Sequence, residues 1–363
     1  MKVYIAATRQ NDGKTMVCLG LLSALSEKFK AISYMKPVGQ QYIVVDGEKI
    51  DEDAALMKEL FSLDTYLPAM NPISVPSGFT AEYILHGNRD ELIRQVKEGF
   101  QSVSSNKEMV LVEGTGHAGV GSVFDMSNAD VAELLGSKVI IVTVGGIGRP
   151  IDEIMLNKAM FESRGVEVVG VIINKVQQNK YDKVNELVRR GLERKGLNVL
   201  GVIPFNQVLA SPTIAEVLHH LKGTLIAGEK GLLTAISKFV VIAMPSHTAL
   251  DYFIRGAMLI TPGNREDIIL AALARNMVEP TSPQFISGIV LTCGIYPDRS
   301  VLRLAQQVHM PLVVVTEDTY TIASRIHSSV FKIRPEDTAK VMEATRLVNR
   351  YVDVNRLLEL IKA

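Results

Sequence analysis

Cysteine is scarce in this chain: Cys18 and Cys293 are the only two in 363 residues, and they fall in no Cys-x-x-Cys or Cys/His spacing. That excludes a disulfide framework and gives no zinc-ligand pattern, so a reducing, cytoplasmic setting is expected. An excess of either charge is missing too, since Lys plus Arg and Asp plus Glu both total 39. No global field exists to hold nucleic acid or an anionic membrane, and any polyanion site must be local. No stretch reaches the roughly 18 apolar residues of a membrane span, and the run Val3–Ala7 between Lys2 and Arg9 is too short for a signal-peptide core. A soluble protein is expected. Pro-rich, Gly/Ser-rich and repetitive segments are also absent, which argues against a flexible tether between domains.

What is present is enough apolar sequence for two cores. In the first half, Val3–Ala7, Ala31–Met35, Met109–Val112, Lys138–Val144 and Val168–Ile173 read as strands, with helices near 16–29, 53–62, 89–101, 152–164 and 180–195. Continuous apolar runs alternating with helices predict parallel strands buried on both faces, in a doubly wound, mostly parallel α/β sheet. Leu200–Phe205 reads as a last short strand, and Ala210-Ser211-Pro212-Thr213 as a turn and a helix start. A boundary is therefore expected near 207, giving domains 1–207 and 208–363. The second, smaller α/β domain has strands at Phe239–Ala243, Ala257–Thr261, Gly288–Leu291 and Leu312–Val315, and helices near 213–221, 265–276, 300–308, 318–329 and 337–348.

The most specific chemical signature is Thr8-Arg9-Gln10-Asn11-Asp12-Gly13-Lys14-Thr15, set between a strand and the helix that opens at Met16. In a P-loop, backbone N–H groups and the positive end of the helix surround phosphates, the Lys reaches their outer oxygens, and the Thr hydroxyl ligates Mg²⁺. Thr8, Arg9, Gln10, Asn11, Asp12, Gly13, Lys14, Thr15 and Met16 are the expected phosphate-binding set. Ala7 stands where the longer loop spacing has its first Gly, a difference of one methyl group.

Ligands of open α/β sheets bind at the carboxyl ends of the strands. Glu113, ending its strand before Gly114-Thr115-Gly116, is therefore a candidate Mg²⁺ ligand; the alternative is a solvated Glu opening a Gly-rich loop. Lys36, after strand Ala31–Met35, places a cation at the same edge, and Asp53 sits at a helix start, where capping is the alternative role. The glycines of loop 114–121 let it close over a ligand, with His117 as acid, base or phosphate donor, or simply exposed. Asn128 and Asp130 read as cap and surface residues.

Thr8–Thr15, Lys36-Pro37-Val38, Asp53-Ala54, Asn71-Pro72, Glu113-Gly114, Asn174-Lys175 and Gly201-Val202-Ile203-Pro204, in this order, resemble dethiobiotin synthetase and its P-loop relatives, including the cobyrinic acid amidating synthetases. The resemblance implies that Lys14 and Thr15 hold ATP phosphates and Mg²⁺. It further implies that Asp53 and Glu113 hold the metal, that Lys36 meets the reacting carbamate or acyl-phosphate oxygens, and that Asn174 reads the adenine edge. The alternative for Asn174 is a loop residue capping a strand end. Lys14 and Lys36 are the candidate catalytic residues, Thr15, Asp53 and Glu113 the candidate metal ligands. Gly39-Gln40-Gln41 replaces the small hydroxyl residue that dethiobiotin synthetase carries after Lys-Pro-Val, and the loop after Glu113-Gly114 also differs, which points away from biotin chemistry.

Arg255–Asp267, with Gly263-Asn264-Arg265, resembles the DRTGG domain. At its turn, either Gly263 bends the chain and Asn264 caps the helix, or a small anion sits on the N–H groups of 265–267. The order of parts resembles the N-terminal half of long-form phosphate acetyltransferase, whose acetyl transfer belongs to a further C-terminal domain. By that resemblance the chain is expected to be a Mg-ATP-binding nucleotide sensor rather than an acetyltransferase. An ATP-dependent ligase acting on a carboxylate or carbamate is the alternative. A small-molecule substrate or effector and self-association are expected, and no nucleic-acid or membrane partner.

Overall fold

The computed structural model describes residues 1–278, 284–329 and 331–362. The chain divides into two compact units, one formed by Met1–Asn206 with Ile333–Ala363 and the other by Gln207–Lys332.

In the first unit, six apolar stretches become β1 (Lys2–Ala7), β2 (Ile32–Met35), β3 (Met109–Glu113), β4 (Lys138–Val144), β5 (Val168–Val176) and β6 (Val199–Pro204). They form one sheet in the order β6-β5-β4-β1-β3-β2, with every neighbouring pair parallel. The connections carry α1 (Lys14–Ser26), α2 (Glu52–Leu60), α3 (Arg89–Ser104), α4 (Asn128–Leu134), α5 (Arg149–Ser163) and α6 (Tyr181–Glu193). This is the doubly wound architecture expected from the alternation of strand and helix patterns. β3 is buried at every position, as a strand covered on both faces must be. α6 shows the ordinary amphipathic pattern, burying Val184, Val188 and Leu192 along one stripe.

The chain moves from β1 to β2 and β3 on one side, then returns to β4, β5 and β6 on the other. The carboxyl end of β1 thus lies at the reversal of strand order, where a crevice opens. Sequence periodicity missed two small sheets near this edge, Val38–Gly39 with Ile73–Ser74 and the hairpin Tyr42–Val45 with Glu48–Asp51. Their strands are too short to show a period.

The second unit opens with α7 (Ile214–Leu221), whose start is closed by a reciprocal capping pair, Thr213 with Glu216. Its sheet contains β7 (Thr224–Ala227), β8 (Lys238–Val241), β9 (Ala257–Pro262), β10 (Ile286–Thr292) and β11 (Leu312–Val314), with α8 (Glu266–Val278), α9 (Arg299–Val308) and α10 (Thr319–Ser328) between and after them. The order is β7-β11-β10-β9-β8, with only β7 antiparallel to its neighbour. Successive residues feed opposite cores: Leu259, Ile289 and Leu312 enter one, Ile260, Val290 and Val313 the other. That is the period of two expected of a strand.

The final helices, α11 (Thr338–Tyr351) and α12 (Val354–Lys362), correct the expected second domain. The second compact unit ends at Lys332 rather than at 363, and the last segment packs on the first. Gly20 of α1 lies against Val348 and 2.9 Å from the Ala344 carbonyl, measured from where its Cβ would stand. α1 is apolar on every side, burying Val17, Leu19, Leu21, Leu22 and Leu25, so the sheet alone cannot cover it.

Candidate functional site

β1 delivers the chain into a loop closed by its own side chains. Asp12 Oδ2 accepts from Thr8 Oγ1 at 2.7 Å and from the Arg9 N–H at 2.9 Å. Gly13 adopts φ +99°, and a Cβ there would collide with the Asn174 amide. A residue without a side chain is required on both counts. Lys14 begins α1 and is 8% exposed, with Nζ 3.5 Å from the Gly116 carbonyl. Burial lowers its pKa from the ordinary lysine value.

Parallel pairing of Ile5 with Glu113 sets the Glu113 side chain beside this loop. Glu113 accepts from Thr15 Oγ1 at 3.0 Å and from the Tyr34 hydroxyl at 2.8 Å. Lys36 pairs with Asp53, with Asp51 at 3.0 Å and with Glu113 at 4.0 Å. All four charged side chains are buried. Burial alone would depress the Lys36 pKa, but Asp53, Asp51 and Glu113 outweigh it and hold the ammonium above the usual lysine range. Burial pushes the Glu113 carboxyl up, against the pull of Lys36.

The structure thus brings together Lys14, Thr15, Lys36, Asp53 and Glu113. Among the described residues no group of three or more His, Cys, Asp or Glu is arranged to hold a metal ion. Two carboxylates and a hydroxyl nevertheless suit Mg²⁺, which takes one or two carboxylates and completes its shell with phosphate oxygens and water. Thr15, Glu113 and Asp53 are the residues that would hold it.

Other expected site residues sit differently. Gln10 and Asn11 are exposed, whereas Met16 is buried in α1. Asn174 is 2% exposed, donates from Nδ2 to the Asp12 carbonyl at 3.0 Å and accepts the Lys175 N–H at 2.8 Å. Its amide thus ties β5 to the loop. Asn128, expected as a cap or surface residue, is buried and clamps the Gly-rich loop. It accepts from Tyr4 and the Thr115 N–H and donates to the Thr115 and His117 carbonyls at 2.7 and 2.6 Å. Asp130 does serve the helix start, in a capping box with Ser127, but is buried rather than on the surface. His117 is exposed, and its Nδ1 lies 3.1 Å from the Gly119 N–H. A cleft of about 290 Å³ opens there, between Thr8 and Arg9 of the loop, His117, and Glu153, Leu156 and Met160 of α5.

Sequence reading gave no role in this site to Asp51, nor to Asn71, which it quoted only within a motif. Asp51 caps α2 through the Asp53 N–H at 2.9 Å while its carboxylate faces Lys36. Asn71 accepts the Asp51 N–H and donates to the Lys36 carbonyl, both at 2.8 Å. The signal available was the run Asp51-Glu52-Asp53, more acid than one cap requires. In the second unit, Gly263 stands against the Ile295 carbonyl with no room for a Cβ, and the Arg265 N–H closes a turn on Pro262 at 3.0 Å. Arg265 pairs with Asp267 at 2.8 Å, so the turn has a structural account.

A nucleotide-type loop at the reversal point of a parallel sheet defines a P-loop protein of the doubly wound class. Residues 1–213 match the family model described as AAA domain, and residues 216–329 match the DRTGG domain. The chain belongs to the AAA domain family and carries a DRTGG domain after it. It is 28% identical over 366 residues to a phosphate acetyltransferase of Nitratidesulfovibrio vulgaris, covering 98% of this chain and 51% of that protein. A phosphate acetyltransferase of Synechocystis sp. is 26% identical over 378 residues, covering 99% of this chain and 52% of that protein. The chain spans about half the length of the curated relatives it matches, and corresponds to their N-terminal half. Among solved structures, a MinC:MinD cell division protein complex of Aquifex aeolicus is similar at TM-score 0.37 and 14% identity, covering 57% of this chain and 83% of that one. No described helix is long and apolar enough to cross a membrane.

Proposed function

We propose that the first unit binds Mg-ATP and that the chain acts as a nucleotide-responsive protein related to the N-terminal region of phosphate acetyltransferase. The observation that carries this reading is Thr15 bonded to Glu113, with Lys36 and Asp53 alongside and Lys14 at the start of the same helix, facing the Gly116 carbonyl. Lys14 supplies a desolvated ammonium for phosphate oxygens, and Thr15, Glu113 and Asp53 supply hard oxygen ligands for Mg²⁺. Titration of the full chain with Mg-ATP is the test. Lys14→Ala is expected to weaken binding by roughly tenfold or more, the usual scale for a lost charge-assisted bond. Equal affinity in both proteins removes the loop from the reading.

The cleft beside the loop favours a second reading, an ATP-dependent ligase with its other substrate bound next to the phosphates. In that reaction Lys14, Lys36 and Mg²⁺ offset charge on the transferring phosphoryl group. ADP release that depends on an added carboxylate or diamine supports the ligase; indifference to both leaves the nucleotide-responsive protein.

A further inference from the structure

Asn174 and Lys175 lie at the end of β5, and in a regular strand their side chains would point to opposite faces. They do not. Between Ile173 and Val176 the pairing with β6 slips by one residue, since Val202 faces Ile173 while Pro204 faces Val176. One extra residue on β5 is accommodated there as a bulge. Lys175 takes it up with φ +57°, a left-handed conformation that costs a residue with a Cβ roughly 1–2 kcal/mol. Such strain persists only where its surroundings enforce it.

The consequence is that two consecutive side chains reach the same loop. Lys175 Nζ donates to the Asn11 carbonyl at 2.7 Å, and Asn174 Nδ2 donates to the Asp12 carbonyl at 3.0 Å. In a planar trans peptide the C=O and the next N–H point in opposite directions. Holding the Asn11 and Asp12 carbonyls toward β5 therefore turns the N–H groups of Asp12 and Gly13 away from it. Those two N–H groups donate to nothing among the described residues, although Asp12 is buried. Directed, unpaired backbone donors before a helix N-terminus are what a phosphate requires.

We propose that Asn174 and Lys175 are positioning residues that aim the loop's amides at the phosphates. The proposal rests on the nucleotide-binding reading and assigns these two residues a different part in it. One Asn174 N–H is committed to the Asp12 carbonyl and Oδ1 to the Lys175 N–H, so the side chain braces the loop whatever its second N–H meets. The two roles separate experimentally, since amide positioning serves any polyphosphate and base reading serves only one nucleoside.

The test compares Mg-ATP, Mg-GTP and inorganic tripolyphosphate on the full chain. Asn174→Ala is expected to weaken all three by a similar factor, roughly tenfold for a lost buried hydrogen bond. Lys175→Met is expected to weaken all three by a smaller common factor, with Lys175→Arg restoring most of it. In the wild type, which needs no variant to fold, tripolyphosphate should protect the Asp12 and Gly13 amides from hydrogen exchange. Loss of ATP-over-GTP preference in Asn174→Ala with unchanged tripolyphosphate binding overturns the proposal, as does an unprotected Asp12–Gly13 pair in a phosphate-bound wild type. A wild type that binds none of the three overturns the nucleotide reading itself, and this one with it.

Discussion

Lys36 is the residue on which the charge balance of the first unit turns. Its ammonium is shared by Asp51, Asp53 and Glu113 in a dry setting, where breaking a pair costs more than forming it gains. Lys36→Met is expected to destabilise the unit by about 3–5 kcal/mol at neutral pH, because it strands buried carboxylates. Glu113, already raised by burial, loses the opposing pull of Lys36 and moves further up, so the folded variant takes up protons. Its deficit in urea unfolding should shrink from pH 7 toward pH 5; a deficit that grows would contradict the arrangement. In the wild type the sign is the same, but the pH range differs. The Lys36 pKa is raised on folding, so its contribution is complete below the ordinary lysine range and is lost only as pH rises through the folded value. Glu113 follows the same sign at lower pH, since burial raises its carboxyl pKa and stability from this group declines as pH rises through that shifted range. Glu113→Gln should remove that slope, leave the nucleotide-free unit no less stable, and abolish the Mg²⁺ dependence of ATP affinity. Thermal unfolding and titration with and without Mg²⁺ check both halves.

At the scale of elements, α1 is pinned from both sides. Its front carries Lys14 and Thr15, and its back meets α11 at Gly20. Gly20→Ala would place a methyl against the Val348 side chain and 2.9 Å from the Ala344 carbonyl, which is backbone and cannot swing aside. The gain in helix propensity of about 1 kcal/mol is smaller than the strain, about 1–3 kcal/mol for overpacking a tight contact. The net change should be destabilising in urea, and Val348→Ala in the same chain should recover part of it. A Gly20→Ala protein more stable than wild type would mean that α11 yields freely. The same contact explains a pattern that was legible but not interpretable beforehand. An all-round apolar helix announces burial, without saying which segment covers it.

At the scale of the molecule, the DRTGG unit is an insertion: the chain leaves the first unit after Asn206 and re-enters at Ile333. Its return buries Leu347, Val348, Val352 and Leu357, each contributing about 1.5–3 kcal/mol as an upper estimate. Truncation after Lys332 should therefore lower the unfolding temperature of the P-loop unit by many degrees, even though the truncated chain keeps the whole loop, all six strands and every candidate ligand. A truncated protein with an unchanged first transition would show that α11 and α12 are dispensable.

The alternating runs from Val3 to Pro204 determined a doubly wound sheet, because continuous β-branched stretches between helical periods have few other ways to bury themselves. The local order Gly13-Lys14-Thr15 between strand and helix determined where phosphates are expected, and Glu113 at a strand end was legible for the same reason. What only tertiary structure decided was partnership across distance. Lys36 meets Asp51 as well as Asp53, Asn128 holds a loop rather than capping a surface helix, and α11 joins the first unit rather than the second. Asn174 and Lys175 face one way because of a bulge that no periodicity reveals. Sequence pattern reports which faces must be hidden; the contacts that hide them are set by strand order and register, which close only when the whole sheet is assembled.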